Sequence, residues 1–167
     1  MSIILGCDPG SVRTGWAFIE TQPLTYIDSG VIELGDREFW ERIGVLKTSM
    51  LVLKLKYHAD ILVLEKAFVS LNKLTALKLA QIRGCLMGLC HEQGVQYAEY
   101  SPREIKRQIT GYGAASKEQV ALMIQRCLKM DPSLKRKFDE SDAIAIALCH
   151  AYALSTSQRF AIQGRAL

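Results

Sequence analysis

The sequence predicts a three-layer α/β domain with a mixed, five-stranded sheet flanked by helices. The first third of the chain contains three apolar stretches separated by turn residues, which is typical of a β-meander. Helical and strand-like patterns alternate after it, as expected where helices cover both faces of a sheet. The 167 residues, of which 49% are hydrophobic, are enough for one such domain.

The strands are predicted from apolar runs bounded by turn-forming or charged residues. The first run is continuously apolar, the pattern of a central strand that is covered on both faces. A turn over residues 8–13 joins it to a hairpin partner. The predicted strands are residues 2–7, 14–19, 26–34, 61–64 and 95–99.

The helices are predicted from the spacing of apolar residues and from signals at the helix ends. Gly94 ends one helix, Ser101 and Pro102 occupy the N-cap and first position of the next, and Ser116 caps another. The predicted helices are residues 38–58, 73–92, 103–109, 117–128 and 139–154. Residues 1–155 then form the domain, and residues 156–167 are predicted to be a flexible tail.

Four carboxylates lie where predicted strands end or a helix begins. Asp8 and Glu65 each follow an apolar run, and Asp139 and Asp142 are three residues apart at the start of the last helix. Acids beside buried strands are costly unless they are paired or bind a metal. Residues three apart share one face of a helix. Carboxylates from separate elements suit Mg²⁺ or Mn²⁺, and two such ions can hold a phosphoryl group for in-line attack.

Each of these acids also has an ordinary structural explanation. Asp139 and Asp142 would serve as helix caps, Asp8 as the residue of an Asx turn, and Glu65 as an isolated charge at a strand end. Their joint placement favours the metal site. The formal net charge of +4, from 21 basic and 17 acidic residues, agrees with an enzyme that acts on a polyanion.

The five cysteines and the longest apolar run bear on the cellular location. The cysteines form no C-x-x-C pair and lie in apolar contexts, so we expect buried, reduced thiols in a cytoplasmic protein. The apolar run over residues 143–154 is interrupted by His150 and is too short to span a bilayer. His58, His91 and His150 are not spaced with the acids and are interpreted as structural.

Four segments of the chain, taken together, resemble the RuvC family of bacterial Holliday-junction resolvases. The resemblance covers about residues 2–153, in order and with matching gaps. It implies an RNase H-like fold and a homodimer that nicks two strands of a four-way DNA junction symmetrically in homologous recombination and DNA repair. The segments are ILGCDPGSVRTGWAFIE, LVLEKAFVSLNKLTALKLAQIRG, YSPREIKRQITGYGAASKEQV and DESDAIAIALCH.

The resemblance also implies the chemistry and the partners. It implies a crossover junction endodeoxyribonuclease that depends on Mg²⁺, for which Mn²⁺ substitutes, with two ions in each active site during catalysis. The products would carry a 5′-phosphate and a 3′-hydroxyl. A motor complex that drives branch migration is the implied partner, with the enzyme in the cytoplasm at the nucleoid.

The family's functional positions fall on particular residues of this chain. The metal-binding and catalytic acids fall on Asp8, Glu65, Asp139 and Asp142. The basic positions fall on Lys106 and Lys117. Lys117 is also expected to reach the catalytic site and to act in catalysis. The positions expected to contact DNA are Phe68, Lys106, Lys117, Arg13 and Tyr112. Lys66 is a departure, because a neutral polar residue is common there in relatives.

Three other classes of protein share parts of this pattern. Actin-like ATPases also open with an Asp-x-Gly turn, but they are much longer and have two such domains. Another RNase H-like nuclease, acting on RNA, would share the acids, and so would a non-catalytic module that binds junctions.

Gly84 and Gly88 form a small-residue stripe that faces either a dimer partner or the sheet, and internal packing is slightly favoured.

Overall fold

A mixed five-stranded sheet lies at the centre of the computed structural model, which describes residues 1–66, 72–131 and 137–163, with side chains up to residue 156. The first three strands form an antiparallel meander, and the last two run parallel to the first. The spatial order is β3-β2-β1-β4-β5, which confirms the predicted sheet. The strands are β1 Ile3–Pro9, β2 Arg13–Thr21, β3 Leu24–Glu33, β4 Ile61–Glu65 and β5 Gln96–Tyr100.

Helices cover both faces of this sheet. The first two pack on one face and the last three on the other, which gives two hydrophobic cores and confirms the three layers. Ser101 and Ser116 cap their helices as predicted, each within a capping box. The helices are α1 Phe39–Tyr57, α2 Lys73–Glu92, α3 Pro102–Thr110, α4 Lys117–Cys127 and α5 Phe138–Gln163.

Most predicted boundaries lie within about two residues of the observed ones, but the end of α5 was predicted wrongly. The apolar pattern stops near Leu154, whereas the helix continues to Gln163. The sequence of its last residues includes alanine, glutamine and arginine, which have good helix propensity, but it does not continue the apolar spacing of residues 143–154. The segment predicted as a flexible tail is therefore helical over residues 156–163. The predicted loop over residues 68–72 falls mostly at positions 67–71, outside the described residues.

Two glycines let α5 lie directly on the sheet. A Cβ atom on Gly6 of β1 would come 2.3 Å from the carbonyl oxygen of Ala143, and one on Gly15 of β2 would come 1.9 Å from that of Asp139. No heavier side chain fits between these backbones. The first turns of α5 are thereby held against the two strands.

Gly84 and Gly88 of α2 point away from the sheet. A Cβ atom at either position would meet no atom within 4 Å. The slight preference for internal packing is therefore wrong, and the stripe faces outward.

Within the described residues, no helix has the length and apolar character needed to cross a membrane. All five cysteines are free thiols; Cys7, Cys90 and Cys149 are buried as predicted, whereas Cys85 and Cys127 are only partly buried.

We expect Gly15→Ala to lower the free energy of unfolding by at least about 1–3 kcal/mol, the cost of overpacking a core, because backbone atoms occupy the space. Gly44→Ala is the matched control. Gly44 lies inside α1, and a Cβ atom there would meet no atom within 4 Å, so alanine should stabilise by about 0.5–1 kcal/mol. Urea denaturation of both variants measures the two changes, and equal effects would contradict the close approach of α5.

Candidate active site

The alternation of side chains along β1 and β4 directs Asp8 and Glu65 to the same face of the sheet. Ile4 and Val63 belong to the core under α5, whereas Leu5 and Leu64 belong to the core under α1 and α2. The parallel register pairs Cys7 with Leu64. The next residues along the two strands, Asp8 and Glu65, therefore lie side by side on the α5 face.

The close packing of α5 brings the other two acids to this place. Gly15 is the antiparallel partner of Asp8, and the backbone of Asp139 lies directly on Gly15. Asp142 follows one turn later on α5. Two strand ends and one helix start thus meet, as the sequence predicts.

A cavity of about 350 Å³ opens at this junction. Three of the four predicted acids line it, namely Asp8, Glu65 and Asp142, together with the predicted basic residues Lys106 and Lys117. The remaining wall comes from α3, α4 and α5 and is partly apolar. The cavity combines negative charge at its base with positive charge at its side.

Asp139 lies at the edge of this group and is held by another predicted residue. Its carboxylate is 3.4 Å from Nε of Arg13, in an ion pair that is half exposed on the arginine side. Asp139 does not line the cavity, but its negative charge contributes to raising the pKa of Asp8.

Lys117 reaches into the acidic group. Its Nζ atom donates a hydrogen bond of 2.8 Å to a carboxylate oxygen of Asp142. This hydrogen bond is the main reason that the pKa of Lys117 is raised, and the charges of Asp142, Asp8 and Glu65 add to it. The ammonium group is therefore firmly charged at the point where the acids converge.

The acids repel one another. Burial raises the pKa of Asp8 to about 7, and the charges of Asp142, Glu65 and Asp139 add to the effect, while Lys117 opposes it. Burial and the charge of Asp142 also raise the pKa of Glu65. The nearby cations therefore compensate the negative charge only in part.

This charge and these donor atoms fit a hard divalent cation, which carboxylate oxygens prefer to bind. In the present arrangement, no three His, Cys, Asp or Glu side chains of the described residues are placed to hold one ion together. Asp142 is engaged by Lys117 and Asp139 by Arg13. Each ion pair uses one carboxylate oxygen, so a metal bound by all four acids would compete with these two cations for the negative charge.

Tyr112 and Lys66 do not line the cavity as described. Tyr112 is 65% exposed in the connection between α3 and α4. Phe68 lies outside the described residues. Lys66 donates its backbone N–H to the carbonyl oxygen of Tyr100, and its Nζ is 3.6 Å from Glu104.

Sequence reasoning missed a buried group beside the site. Arg83 of α2 donates to the backbone carbonyl oxygen of Glu65 and to the carboxylate of Glu99. Arginine at one position in a helix gives no sign that it is buried. His150 is also buried and shares a 2.8 Å hydrogen bond with Tyr100, which fits its structural interpretation.

Comparison with known proteins gives one consistent family. A family model described as crossover junction endodeoxyribonuclease RuvC matches residues 4–150. The RuvC of Marinobacter nauticus is 39% identical over 166 residues, which cover 98% of this chain and 94% of that protein. The RuvC of Pelodictyon phaeoclathratiforme is 41% identical over 150 residues, covering 88% and 78%.

Solved structures share the fold. Thermus thermophilus RuvC matches with a TM-score of 0.82 and 25% identity, over 93% of this chain and 96% of that one. The same organism's RuvC in complex with a Holliday junction substrate matches with a TM-score of 0.86 and 24% identity, over 94% and 97%. These matches confirm the predicted RNase H-like fold class.

We expect Asp8→Asn to stabilise the metal-free protein at pH 8. The folded pKa of about 7 lies above the ordinary value of 3.8, so wild-type stability falls as the pH rises through this window. Three pKa units correspond to about 4 kcal/mol, and we expect a gain of about 2–4 kcal/mol at pH 8.

The gain should vanish at pH 4, where Asp8 is protonated in the folded protein. Urea denaturation in EDTA at the two pH values measures it. Asp36→Asn, at an exposed position before α1, is the control and should change stability by less than about 0.5 kcal/mol. A destabilised Asp8→Asn at pH 8 would contradict the predicted repulsion.

Proposed function

This chain belongs to the RuvC family of crossover junction endodeoxyribonucleases, and we propose that Asp8, Glu65, Asp139 and Asp142 form the site at which it resolves Holliday junctions. One observation carries the assignment of the site. Acids from two adjacent strand ends and one helix start meet at a cavity whose side is lined by lysines. DNA recombination and repair are the processes in which the family acts.

We propose Mg²⁺ as the cofactor, with Mn²⁺ able to replace it and two ions in each site during cleavage. The support is the donor set of four carboxylates, together with the burial and the neighbouring negative charges that raise the pKa of Asp8. When bound there, the metal supplies Lewis acidity and lowers the pKa of an attacking water. Asp8 and Glu65, at the ends of two strands, and Asp139 and Asp142, at the start of α5, would hold it.

The basic residues of the cavity have separate tasks in this proposal. Lys117 keeps Asp142 in place before DNA binds, and on release from Asp142 its ammonium group faces the phosphate at the cut. Lys106 lines the same cavity and would bind a neighbouring backbone phosphate. Lysine is suited to both tasks because it carries a compact charge on a flexible stem.

Further DNA contacts are proposed at the rim. Arg13 is half exposed beside Asp139, so the loss of that ion pair on metal binding would free its guanidinium for a phosphate. Tyr112 presents an exposed ring that suits stacking on an unpaired base. The stacking role predicted for Phe68 falls outside the described residues and stays a prediction from the resemblance.

A homodimer would supply two such sites for two symmetric cuts, and α2 offers the surface for it. Leu74, Leu77, Gly84 and Gly88 lie on one side of α2, facing away from the sheet; we call this the α2 outer face. Leu77 is 61% exposed, and the glycines leave open space beside it. Two copies of this face could approach closely through their small residues.

The motor complex that drives branch migration and the cytoplasmic location at the nucleoid rest on the family resemblance alone, and they are proposed on that basis.

The function is tested by comparing substrates. We expect cleavage of a four-way junction in Mg²⁺, with much slower cleavage of linear duplex and of an RNA–DNA hybrid, and none in EDTA. Asp8→Asn should bind the junction normally and cleave it at least about 100-fold more slowly, the scale of losing one catalytic group.

Gel electrophoresis of labelled strands measures the cuts, and a mobility shift in EDTA measures binding. Preferred cleavage of the hybrid would support the nuclease that acts on RNA. Junction binding without cleavage by the wild type would support the silent module. Normal cleavage by Asp8→Asn would show that the metal site is wrongly assigned.

The dimer is tested on the α2 outer face. Gly84→Arg places a long, charged side chain where nothing in the protomer touches it, so the protomer should fold while the dimer dissociates. Leu122→Arg, at an exposed position on α4, is the matched control and should leave the dimer intact. Sedimentation velocity measures both, and a dimeric Gly84→Arg would place the interface elsewhere.

A further inference from the structure

Arg83 is a buried cation that the proposed chemistry does not use. Only 9% of the residue is exposed, and among the described residues the buried polar or charged ones are Thr14, Arg83 and His150. Burying a guanidinium is costly, and replacing a buried ion pair with apolar side chains is often neutral or stabilising. Stability alone is therefore a poor explanation for this residue.

The guanidinium connects three elements at the catalytic end of the sheet. One nitrogen donates to the backbone carbonyl oxygen of Glu65, the last residue of β4. The other donates to the carboxylate of Glu99 on β5 and, at 3.4 Å, contacts the hydroxyl of Tyr97. That hydroxyl donates to the same Glu99 carboxylate. The guanidinium is thus held in one orientation by two residues of β5.

These contacts fix the peptide that follows Glu65. Its carbonyl oxygen accepts from Arg83, and its N–H, which belongs to Lys66, donates to Tyr100 at 2.8 Å. A peptide held at both polar atoms cannot rotate, and this limits the direction of the preceding Cα–Cβ bond. The backbone bonds therefore hold the Cα–Cβ bond from which the Glu65 side chain reaches the cavity. Glu65 is the last residue of β4, so these two bonds hold the peptide at the very end of the strand.

The position of Arg83 on α2 adds a second consequence. Gly84 of the α2 outer face directly follows it, on the opposite side of the helix from the buried residues Ile82 and Leu86. One helix therefore carries both the proposed dimer surface and the group that holds Glu65.

We propose that Arg83 is a positioning residue for catalysis, which fixes the Glu65 carboxylate by binding its backbone while Tyr97 and Glu99 hold the guanidinium. This inference rests on the proposed function of Glu65 as a metal ligand. Arg83 does not line the cavity and would act only through Glu65. It belongs to the outer partners that orient metal ligands, whose loss typically weakens metal affinity or activity about 10- to 100-fold.

The test separates positioning from stability. The double variant Arg83→Met with Glu99→Gln removes both charges of the pair and keeps side chains of similar size. The matched control, Lys47→Met with Glu92→Gln, removes a 3.0 Å ion pair that also involves α2 but is exposed. Calorimetric Mn²⁺ titration of the DNA-free protein, urea denaturation, junction binding in EDTA and single-turnover cleavage are measured for each.

We expect the Arg83 double variant to bind Mn²⁺ about 10- to 100-fold more weakly and to cleave more slowly by a similar factor. Its junction affinity in EDTA should stay within about twofold of the wild type, because Arg83 is buried and does not line the cavity. A purely structural role would instead change the unfolding midpoint without changing Mn²⁺ affinity of the folded protein. The control variant should match the wild type in Mn²⁺ affinity and in cleavage.

Arg83→Lys keeps the charge, but lysine can bind only one of the two partners well. We therefore expect its Mn²⁺ affinity to lie between that of the wild type and that of the double variant. It serves as the deciding variant if the double variant does not fold. Mn²⁺ affinity and cleavage equal to the control in the variants that fold would overturn the inference. Glu65→Gln separates the two proposals. If Glu65→Gln binds Mn²⁺ as tightly as the wild type, the metal site itself is refuted. If Glu65→Gln binds Mn²⁺ more weakly but the Arg83 variants do not, only the role of Arg83 is refuted.

Discussion

The approach of α5 to bare backbone on β1 and β2 is the constraint on which the fold and the site both depend. At Gly6 and Gly15 the carbonyl oxygens of the helix occupy the space that any side chain would need. This contact places the start of α5, with Asp139 and Asp142, beside the end of β1. The same packing closes the core over β4, whose last residue is Glu65. One steric arrangement thus determines where four charges meet.

The convergence of the four acids has an electrostatic consequence for the whole protein. Burial and the charges of the other three acids raise the pKa of Asp8 to about 7, although Lys117 opposes the rise. The two cations are placed on the exposed side of the acids, where they can turn toward solvent or DNA without disturbing the core. The ion pairs of Lys117 and Arg13 thus offset part of the acidic charge in the folded protein, and other counter-charges can replace them. Metal and phosphate would take over the roles of counter-charge that these side chains fill beforehand.

The sequence was sufficient to predict the layers, the strand order of the meander and the residues of the acid group, because each leaves a local pattern. Apolar runs identify the strands, and Ser101 and Ser116 identify helix starts. The end of α5 was missed because a helix can continue on propensity alone, without an apolar face. The direction of Gly84 was misjudged because a small-residue stripe is the same whether it packs inward or faces a partner. Contacts between distant residues, such as Lys117 with Asp142, became visible only in the folded chain.

Arg83 shows why such contacts decide function beyond what motifs reveal. Glu65, which we propose as a metal ligand, ends β4, where strand pairing stops, so its backbone carbonyl needs another partner. Arg83 supplies that partner from a helix on the opposite face of the sheet from the cavity, and Tyr97 and Glu99 keep it from rotating. The direction of the Glu65 carboxylate therefore depends on the position of α2 on the sheet. Because α2 also carries the outward small-residue face, a shift of this helix at a dimer interface would be transmitted to Glu65 through one side chain.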